Sequence, residues 1–202
     1  ESVKDGVLAL IRETYGIAEE DFQSAELTLV PAGRARELGF DRSMVLGYGQ
    51  DDRVCSYTAL RSMVETADVR RTACCLLVDK EEIGSVGATG MQSRFFENMV
   101  AEVLSACGQY TEIALRRTLA RSKMLSSDVS SAYDALYADA FEKKNVAYLG
   151  RGMVFNKFTG SRGKSGSSDA SAEYLGELRR MMDENGVRYQ LAELGRVDLG
   201  GG

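Results

Sequence analysis

Acidic residues follow three segments of the chain whose sequences resemble strands. Asp51 and Asp52 follow residues 44–48, Asp79, Glu81 and Glu82 follow residues 72–78, and Asp128 follows residues 124 and 125. Sites in open α/β sheets form in the crevice beyond the carboxyl ends of the strands. One carboxylate there can bind a metal while its neighbour handles a proton. The alternative is structural: Asp52 caps a helix, and Glu81 and Glu82 are solvated loop residues.

The absence of histidine narrows the possible chemistry. The sequence contains no His, which excludes a Ser-His-Asp or Cys-His arrangement made from this chain alone. It also excludes any metal site that needs an imidazole from this polypeptide. The cysteines form no CxxC pair, lie in apolar stretches and are predicted to be reduced core residues of a cytoplasmic protein. They are Cys55, Cys74, Cys75 and Cys107.

Composition and charge exclude two classes of partner. The 202 residues are 44% hydrophobic and 27% charged, with a net charge of −5. The Lys and Arg residues are scattered, whereas binding to nucleic acid needs a concentrated basic face. No apolar run approaches the roughly 20 residues that span a bilayer, so no membrane segment is predicted. The start at Glu1 and the end in three glycines lead us to expect an internal piece of a longer protein.

Hydrophobic periodicity predicts alternating helices and strands around these acidic residues. Helices are predicted at residues 3–11, after Asp51, at 95–104, at 111–121 and at 172–182. Strands are predicted at residues 26–30, 44–48, 72–78, 152–158 and 188–191. The run 72–78 is apolar almost throughout, as expected for a central strand covered on both faces. The alternation indicates an α/β fold with a mainly parallel central sheet.

A Gly/Ser-rich loop at residues 160–166 invites comparison with a phosphate-binding loop. It contains Gly-Lys-Ser and lies between a predicted strand and a predicted helix. The phosphate-binding pattern needs glycine at position 158, where this chain has Phe158. A surface loop or a loop that shapes a substrate pocket therefore fits better. A nucleotide binder stays open as a third function and predicts stabilisation by nucleotide.

Several motifs, in order along essentially the whole chain, resemble the aminopeptidase I / aspartyl aminopeptidase family of metallopeptidases. They are residues 48–60 around the paired aspartates, 78–85 with the paired glutamates, 90–98, 125–129 with Asp128, 157–166 and 193–198. The resemblance implies a zinc-peptidase-like three-layer sandwich with helices on both faces of the sheet, incomplete in this chain. It also implies that residues 1–25 are a remnant of an inserted lid used for oligomerisation. Residues 26–202 would be the central part of the catalytic domain.

The resemblance assigns a role to four acidic residues. Asp52 would bridge two divalent ions, usually zinc, with cobalt or manganese as alternatives. Glu81 would be the general base that takes a proton from the metal-bound water. Glu82 would bind one metal and Asp128 the other. Asp52 is preferred to Asp51 because it lies just before the predicted helix.

The sequence departs from the family pattern at two places. Each metal of the family also takes one histidine, from segments that this chain lacks. Residues 134–138 lack the two prolines that the family usually has after the later metal aspartate. The expected function of the full-length parent is removal of amino-terminal residues from peptides. The chain by itself is expected to be nearly inactive, and the alternative is a non-catalytic scaffold or assembly protein derived from the peptidase fold.

Substrates and partners are expected from the same resemblance. The full-length protein would form a homo-oligomer and act on peptides, with neither nucleic acid nor membrane as a partner. Three basic residues could bind an acidic side chain or a substrate carboxylate, or else be solvated. They are Lys157, Arg162 and Lys164.

Overall fold

The computed structural model describes residues 2–157 and 169–193. Within it the chain divides into two units, residues 1–50 and 51–202. This structural division differs from the predicted boundary between residues 25 and 26. The assignment of residues 1–25 to a lid and of 26–202 to a catalytic domain stays a prediction. Among the described residues, no helix is both long and apolar enough to cross a membrane.

The first unit begins with helix α1, Val3–Tyr15. Ser2 and Asp5 form a capping box, in which the Asp5 N–H donates to Ser2 Oγ at 3.2 Å and the Ser2 N–H to Asp5 Oδ2 at 3.0 Å. Gly16 ends the helix with φ of 71°, a left-handed conformation that glycine adopts at little cost. The helix predicted from residue 3 with an end near Gly16 is therefore confirmed.

A short antiparallel sheet follows in the same unit. Strand β1, Arg36–Leu38, pairs with strand β2, Met44–Leu46, in the register Glu37 to Val45. The predicted strand 44–48 is thus confirmed in its first three residues. The predicted strand 26–30 is wrong, because these residues form no ladder and Leu29 is 95% exposed. No strand pairs with residues 26–30 among the described residues, although their sequence alternates as a strand does.

Helices account for most of the regular structure in the second unit. They are α2 (Gln50–Glu65), α3 (Phe95–Ala106), α4 (Glu112–Ala120) and α5 (Ala172–Glu184). Each coincides with a helix predicted from apolar spacing, and α3 contacts α4. Thr111 caps α4 and Ser171 caps α5, each through a side-chain oxygen that accepts a backbone N–H. Local sequence therefore determines these helices well.

The parallel sheet in the described part of the second unit has two strands. Strand β3, Met153–Asn156, pairs in parallel with β4, Tyr189–Ala192, and α5 lies between them in sequence. Gln190 joins this pair to the preceding loop: its Oε1 accepts the Tyr148 N–H at 2.9 Å, and its Nε2 donates to Tyr148 O and Gly152 O. Both predicted strands are confirmed as a β-α-β unit. The buried apolar side chains of the described residues are Leu115, Val146, Ala147, Leu178 and Ala192.

The run 72–78 does not form the central strand that its composition predicts. No described segment pairs with it, and Leu77 and Val78 are 61% and 45% exposed. A strand requires hydrogen-bond partners from another segment as well as a suitable sequence. The structure is therefore of the α/β class, with small two-stranded sheets in its described part. The described residues form no larger central sheet.

Candidate metal centre

Two consecutive aspartates lie at the start of helix α2. Asp51 and Asp52 both have non-helical backbone angles, so the regular helical turns begin after them. Asp51 is exposed and Asp52 half-buried. Asp51, Asp52 and Asp128 each offer a carboxylate oxygen, and these atoms all lie within 4.8 Å of one another. We call these three residues the aspartate cluster.

A tight turn holds the paired glutamates. Glu81–Ile83 forms one turn of 3-10 helix, flanked by Lys80 at φ 67° and Gly84 at φ 93°. The Gly84 N–H donates to Glu81 O at 2.8 Å, and the Ser85 N–H to Lys80 O at 2.7 Å. One left-handed residue on each side of the three helical ones reverses the chain within a few residues. The turn therefore presents both glutamates directly after the run 72–78.

The segment after this turn folds back and closes it. The Asp79 N–H donates to Thr89 O at 3.2 Å, and the Gln92 N–H to Ser85 O at 3.1 Å. Gly90 is buried at this contact, and a Cβ atom there would lie 2.2 Å from Ser85 O. Only glycine allows two backbone segments to approach this closely. Residues 79–92 thus form one closed loop, which we call the glutamate loop.

The glutamate loop and the aspartate cluster share an electrostatic environment. Burial raises the pKa of Glu81 above its ordinary value, and the charges of Asp128 and Glu82 raise it further. Burial likewise raises the pKa of Asp51, followed by the charge of Asp128 and a hydrogen bond with that carboxyl group. Desolvation by burial is the larger cause of both pKa shifts, and repulsion between neighbouring carboxylates adds to it.

The structure brings Asp52 and Asp128 together, and Asp51 joins them although the sequence argument placed it second to Asp52. Glu81 and Glu82 are not members of this cluster, but Glu81 lies near enough for the charges of Asp128 and Glu82 to raise its pKa. The geometry does not separate Asp51 from Asp52, because both offer an oxygen to the cluster. The individual roles of these residues stay predictions.

Cys55 also belongs to this region, and the sequence argument missed it. The side chain is half-buried, and burial raises the pKa of its thiol to about 11, with a further contribution from a hydrogen bond to Asp52 and an opposing one from Ser127. The thiol is therefore neutral at physiological pH. Its spacing of three residues from Asp52 on a helix is the signal that could have indicated this contact.

The donor set fits a divalent cation. Asp52 Oδ1 is buried without a hydrogen-bond partner in the described part of the structure, and a buried carboxylate oxygen needs a compensating positive charge or donor. The two other carboxylates of the aspartate cluster lie within reach of the same ion. Oxygen ligands of this kind suit zinc and other divalent metals.

The loop after Asp128 is ordered without the family's prolines. Asp134 Oδ1 accepts the Leu136 N–H at 2.8 Å and caps a 3-10 helix, Ala135–Ala140. A side-chain cap therefore directs the chain here, in a place where fixed proline angles would act in the family pattern. Tyr133, which precedes this helix, packs against Phe141 and Tyr148.

One of the three predicted substrate-binding residues can be placed. Lys157 follows β3, and its Nζ pairs with Asp169 Oδ1 at 3.1 Å. Arg162 and Lys164 lie outside the described residues, as do residues 160–166 that were compared with a phosphate-binding loop. A role for these residues in substrate binding stays a prediction.

Comparison with known proteins decides the family. The model of the family described as aminopeptidase I zinc metalloprotease (M18) matches residues 1–202. The chain belongs to the M18 family. This confirms the resemblance inferred from the sequence motifs and gives zinc as the metal of the family.

The M18 relatives are longer than this chain. The chain is 58% identical over 202 residues to the probable M18 family aminopeptidase 1 of Clostridium acetobutylicum. The match covers all of this chain but only 43% of the length of that protein. The crystal structure of aminopeptidase I from the same organism matches 97% of the chain and 42% of its own length, with a TM-score of 0.87. The M18 aminopeptidase structure from Thermotoga maritima matches with a TM-score of 0.91 at 42% identity, covering 98% of this chain and 44% of that one.

Proposed function

We propose that the whole protein is a metal-dependent aminopeptidase that releases amino-terminal residues from peptides. The observation that supports this most directly is the aspartate cluster, whose charges act on the nearby Glu81. This arrangement combines oxygen ligands for a cation with a separate carboxyl group, Glu81, whose pKa is raised. A general base acts best when its pKa lies close to the working pH.

Two divalent ions fit the number of carboxylates. Asp51 or Asp52 would bridge the ions, Glu82 would bind one and Asp128 the other. The ions are zinc, with cobalt or manganese as alternatives. A bound cation of this kind lowers the pKa of water and polarises a peptide carbonyl group. Because the sequence contains no His, the imidazole ligands that the family resemblance implies would come from elsewhere in the whole protein.

Glu81 has the proton-transfer role in this proposal. Its carboxylate accepts a proton from the attacking water and passes it to the leaving amine. Desolvation of the Glu81 carboxyl group and the nearby charges of Asp128 and Glu82 raise its affinity for that proton. The neutral thiol of Cys55 donates a hydrogen bond to Asp52 and so orients that carboxylate.

The remaining features concern the whole protein. Strand partners from elsewhere would complete a parallel central sheet at residues 72–78, where Leu77 and Val78 are exposed, with helices on both faces. The exposed Val3 and Leu10 of α1 fit a role of residues 1–25 in a lid and in homo-oligomer formation. Lys157, Arg162 and Lys164 would bind acidic groups of peptides. The location would be cytoplasmic.

The experiment is a test of hydrolysis on the whole protein. Amino-acid anilides with acidic, neutral and basic side chains are offered after chelation and after readdition of zinc, cobalt or manganese. Glu81→Gln is compared with Glu102→Gln, an exposed position on α3. We expect metal-dependent turnover that falls by about 10²–10⁴-fold in Glu81→Gln and is unchanged in the control. A folded, metal-loaded protein without turnover would refute the proposal and favour the scaffold alternative.

A further inference from the structure

The side chain of Gln92 makes a contact across the glutamate loop. Its Nε2 donates a hydrogen bond to Gly84 O at 2.7 Å, and its own backbone N–H donates to Ser85 O at 3.1 Å. Gln92 therefore holds two consecutive carbonyl groups through two donors.

Gly84 is the residue at which the turn with the paired glutamates ends. Its N–H donates to Glu81 O at 2.8 Å, and its left-handed φ of 93° sets the direction in which the chain leaves the turn. The Gly84 carbonyl group that accepts from Gln92 belongs to the Gly84–Ser85 peptide, whose N–H donates to Lys80 O at 2.7 Å. Because Lys80 O belongs to the peptide that joins Lys80 to Glu81, a rotation of the Gly84–Ser85 peptide would also disturb the backbone at Glu81.

Burial does little to position this turn. Glu81, Glu82, Ile83 and Gly84 are all exposed along the turn. Side-chain packing is the usual means of fixing a catalytic group, and a site without it depends on hydrogen bonds from neighbouring residues. In this loop the backbone bonds and the Gln92 amide provide that constraint.

We propose that Gln92 is a positioning residue for Glu81, acting through the hydrogen bond from its side-chain amide to the Gly84 carbonyl group. The inference rests on the proposed function, because it assigns Gln92 a part in placing the general base. Gln92 need not touch the substrate or a metal. Since the turn is exposed, water can replace the lost donor, and removal of the amide should loosen the turn without unfolding the protein.

The test uses two substitutions in the whole protein. Gln92→Met keeps the length and the neutral charge but has no donor, and Gln92→Glu keeps the shape but cannot donate when ionised. Gln109→Met and Gln109→Glu are the matched controls, because Gln109 is exposed between α3 and α4, away from the glutamate loop. Zinc content and melting temperature are measured for every variant, so that kcat refers to folded, metal-loaded protein.

We expect kcat to fall at least about tenfold in both Gln92 variants, with KM little changed, since a misplaced catalytic group reduces the rate without removing substrate contacts. Amide hydrogen exchange at Gly84 and Ser85 should be faster in these variants than in the controls. This second measurement does not depend on activity. Both Gln109 variants should match the wild type in kcat and in exchange.

Each other outcome overturns a defined part of the argument. Unchanged exchange at Gly84 and Ser85 shows that Gln92 does not hold the turn. Faster exchange with unchanged kcat shows that Gln92 does not position Glu81. A loss confined to Gln92→Met indicates that shape matters and the donor does not. These outcomes overturn the inference and leave the proposed function intact, whereas a metal-loaded wild type without turnover overturns the proposed function as well.

Discussion

Replacement of Asp128 by Asn should stabilise the metal-free protein and weaken its response to zinc. The carboxylate oxygens of Asp51, Asp52 and Asp128 lie within 4.8 Å of one another. At that separation two unit charges repel by about 0.9 kcal/mol at the dielectric constant of water and by about 3.5 kcal/mol at an effective value of 20. Because Asp51 and Asp128 are exposed, solvent screening favours the lower figure.

Asp128→Asn should therefore raise the free energy of unfolding of the metal-free protein by about 1–2 kcal/mol. Asp128 forms two such repelling pairs, one with Asp51 and one with Asp52, and it also shares a hydrogen bond with Asp51. The Asn side chain can donate to Asp51 without the extra proton that two carboxyl groups need. In EDTA the melting temperature should rise by a few degrees. With zinc the order reverses: the lost ligand should weaken binding by at least about tenfold, and with it the stabilisation that mass action provides.

The assay is thermal unfolding in EDTA and in a zinc titration. Asp139→Asn serves as the control, because Asp139 is exposed and outside the aspartate cluster. It removes the same charge, so any general effect of net charge appears in both variants. The reasoning is refuted if Asp128→Asn melts no higher than the control in EDTA. It is also refuted if zinc raises the melting temperature of Asp128→Asn as much as that of the wild type.

Three further results are expected. Asp51→Asn and Asp52→Asn should each weaken zinc binding in an isothermal titration, and the variant with the larger loss identifies the bridging ligand; equal affinity to wild type in both would contradict the metal centre. Gly90→Ala should lower the free energy of unfolding in urea by about 2–4 kcal/mol. The added Cβ would lie 2.2 Å from the backbone oxygen of Ser85, which no rotamer change can move. A loss below about 0.5 kcal/mol would show that the loop relaxes easily. The pKa values of Asp51 and Glu81 are raised on folding, so ionisation of these groups destabilises the metal-free protein at neutral pH. The protein should therefore gain stability as the pH falls through the raised values towards the ordinary 3.8 and 4.5. Asp51→Asn should show a smaller gain in melting temperature across that pH range, and an equal gain would refute the assignment.

The helices could be predicted from the sequence because their determinants are local. Apolar spacing gave α2, α3 and α5, and glycine at position 16 gave the end of α1. These signals act within a few residues of the backbone that they shape. Their success does not depend on what the rest of the chain does.

The strands were predicted less well because pairing is not local. Residues 153–156 pair in parallel with residues 189–192 through the α5 crossover, so both predicted strands form. The run 72–78 has a stronger apolar sequence than either, yet no described segment pairs with it. Composition describes how well a segment fits a sheet but does not identify its neighbour.

The sequence argument named Asp52 and Asp128, which the structure places in the aspartate cluster, and the assignment of the site residues stays a prediction. Acidic residues after strand-like segments, together with the family motifs, indicated Asp52, Glu81, Glu82 and Asp128. The sequence argument placed Asp51 second because Asp52 lies just before the predicted helix. Both aspartates have non-helical backbone angles, and both offer a carboxylate oxygen to the cluster.

The positions of the acidic groups depend on backbone geometry more than on the hydrophobic core. None of the buried apolar side chains in the described residues belongs to the glutamate loop or to the aspartate cluster. Left-handed Lys80 and Gly84, together with the contact between Gly90 and Ser85, give the loop its shape. Substitutions in the core should therefore change stability more than activity, whereas substitutions in the loop should change activity more than their exposure suggests. Stability and activity should therefore respond to substitutions at different positions in this chain, because different interactions hold the core and the acidic groups in place.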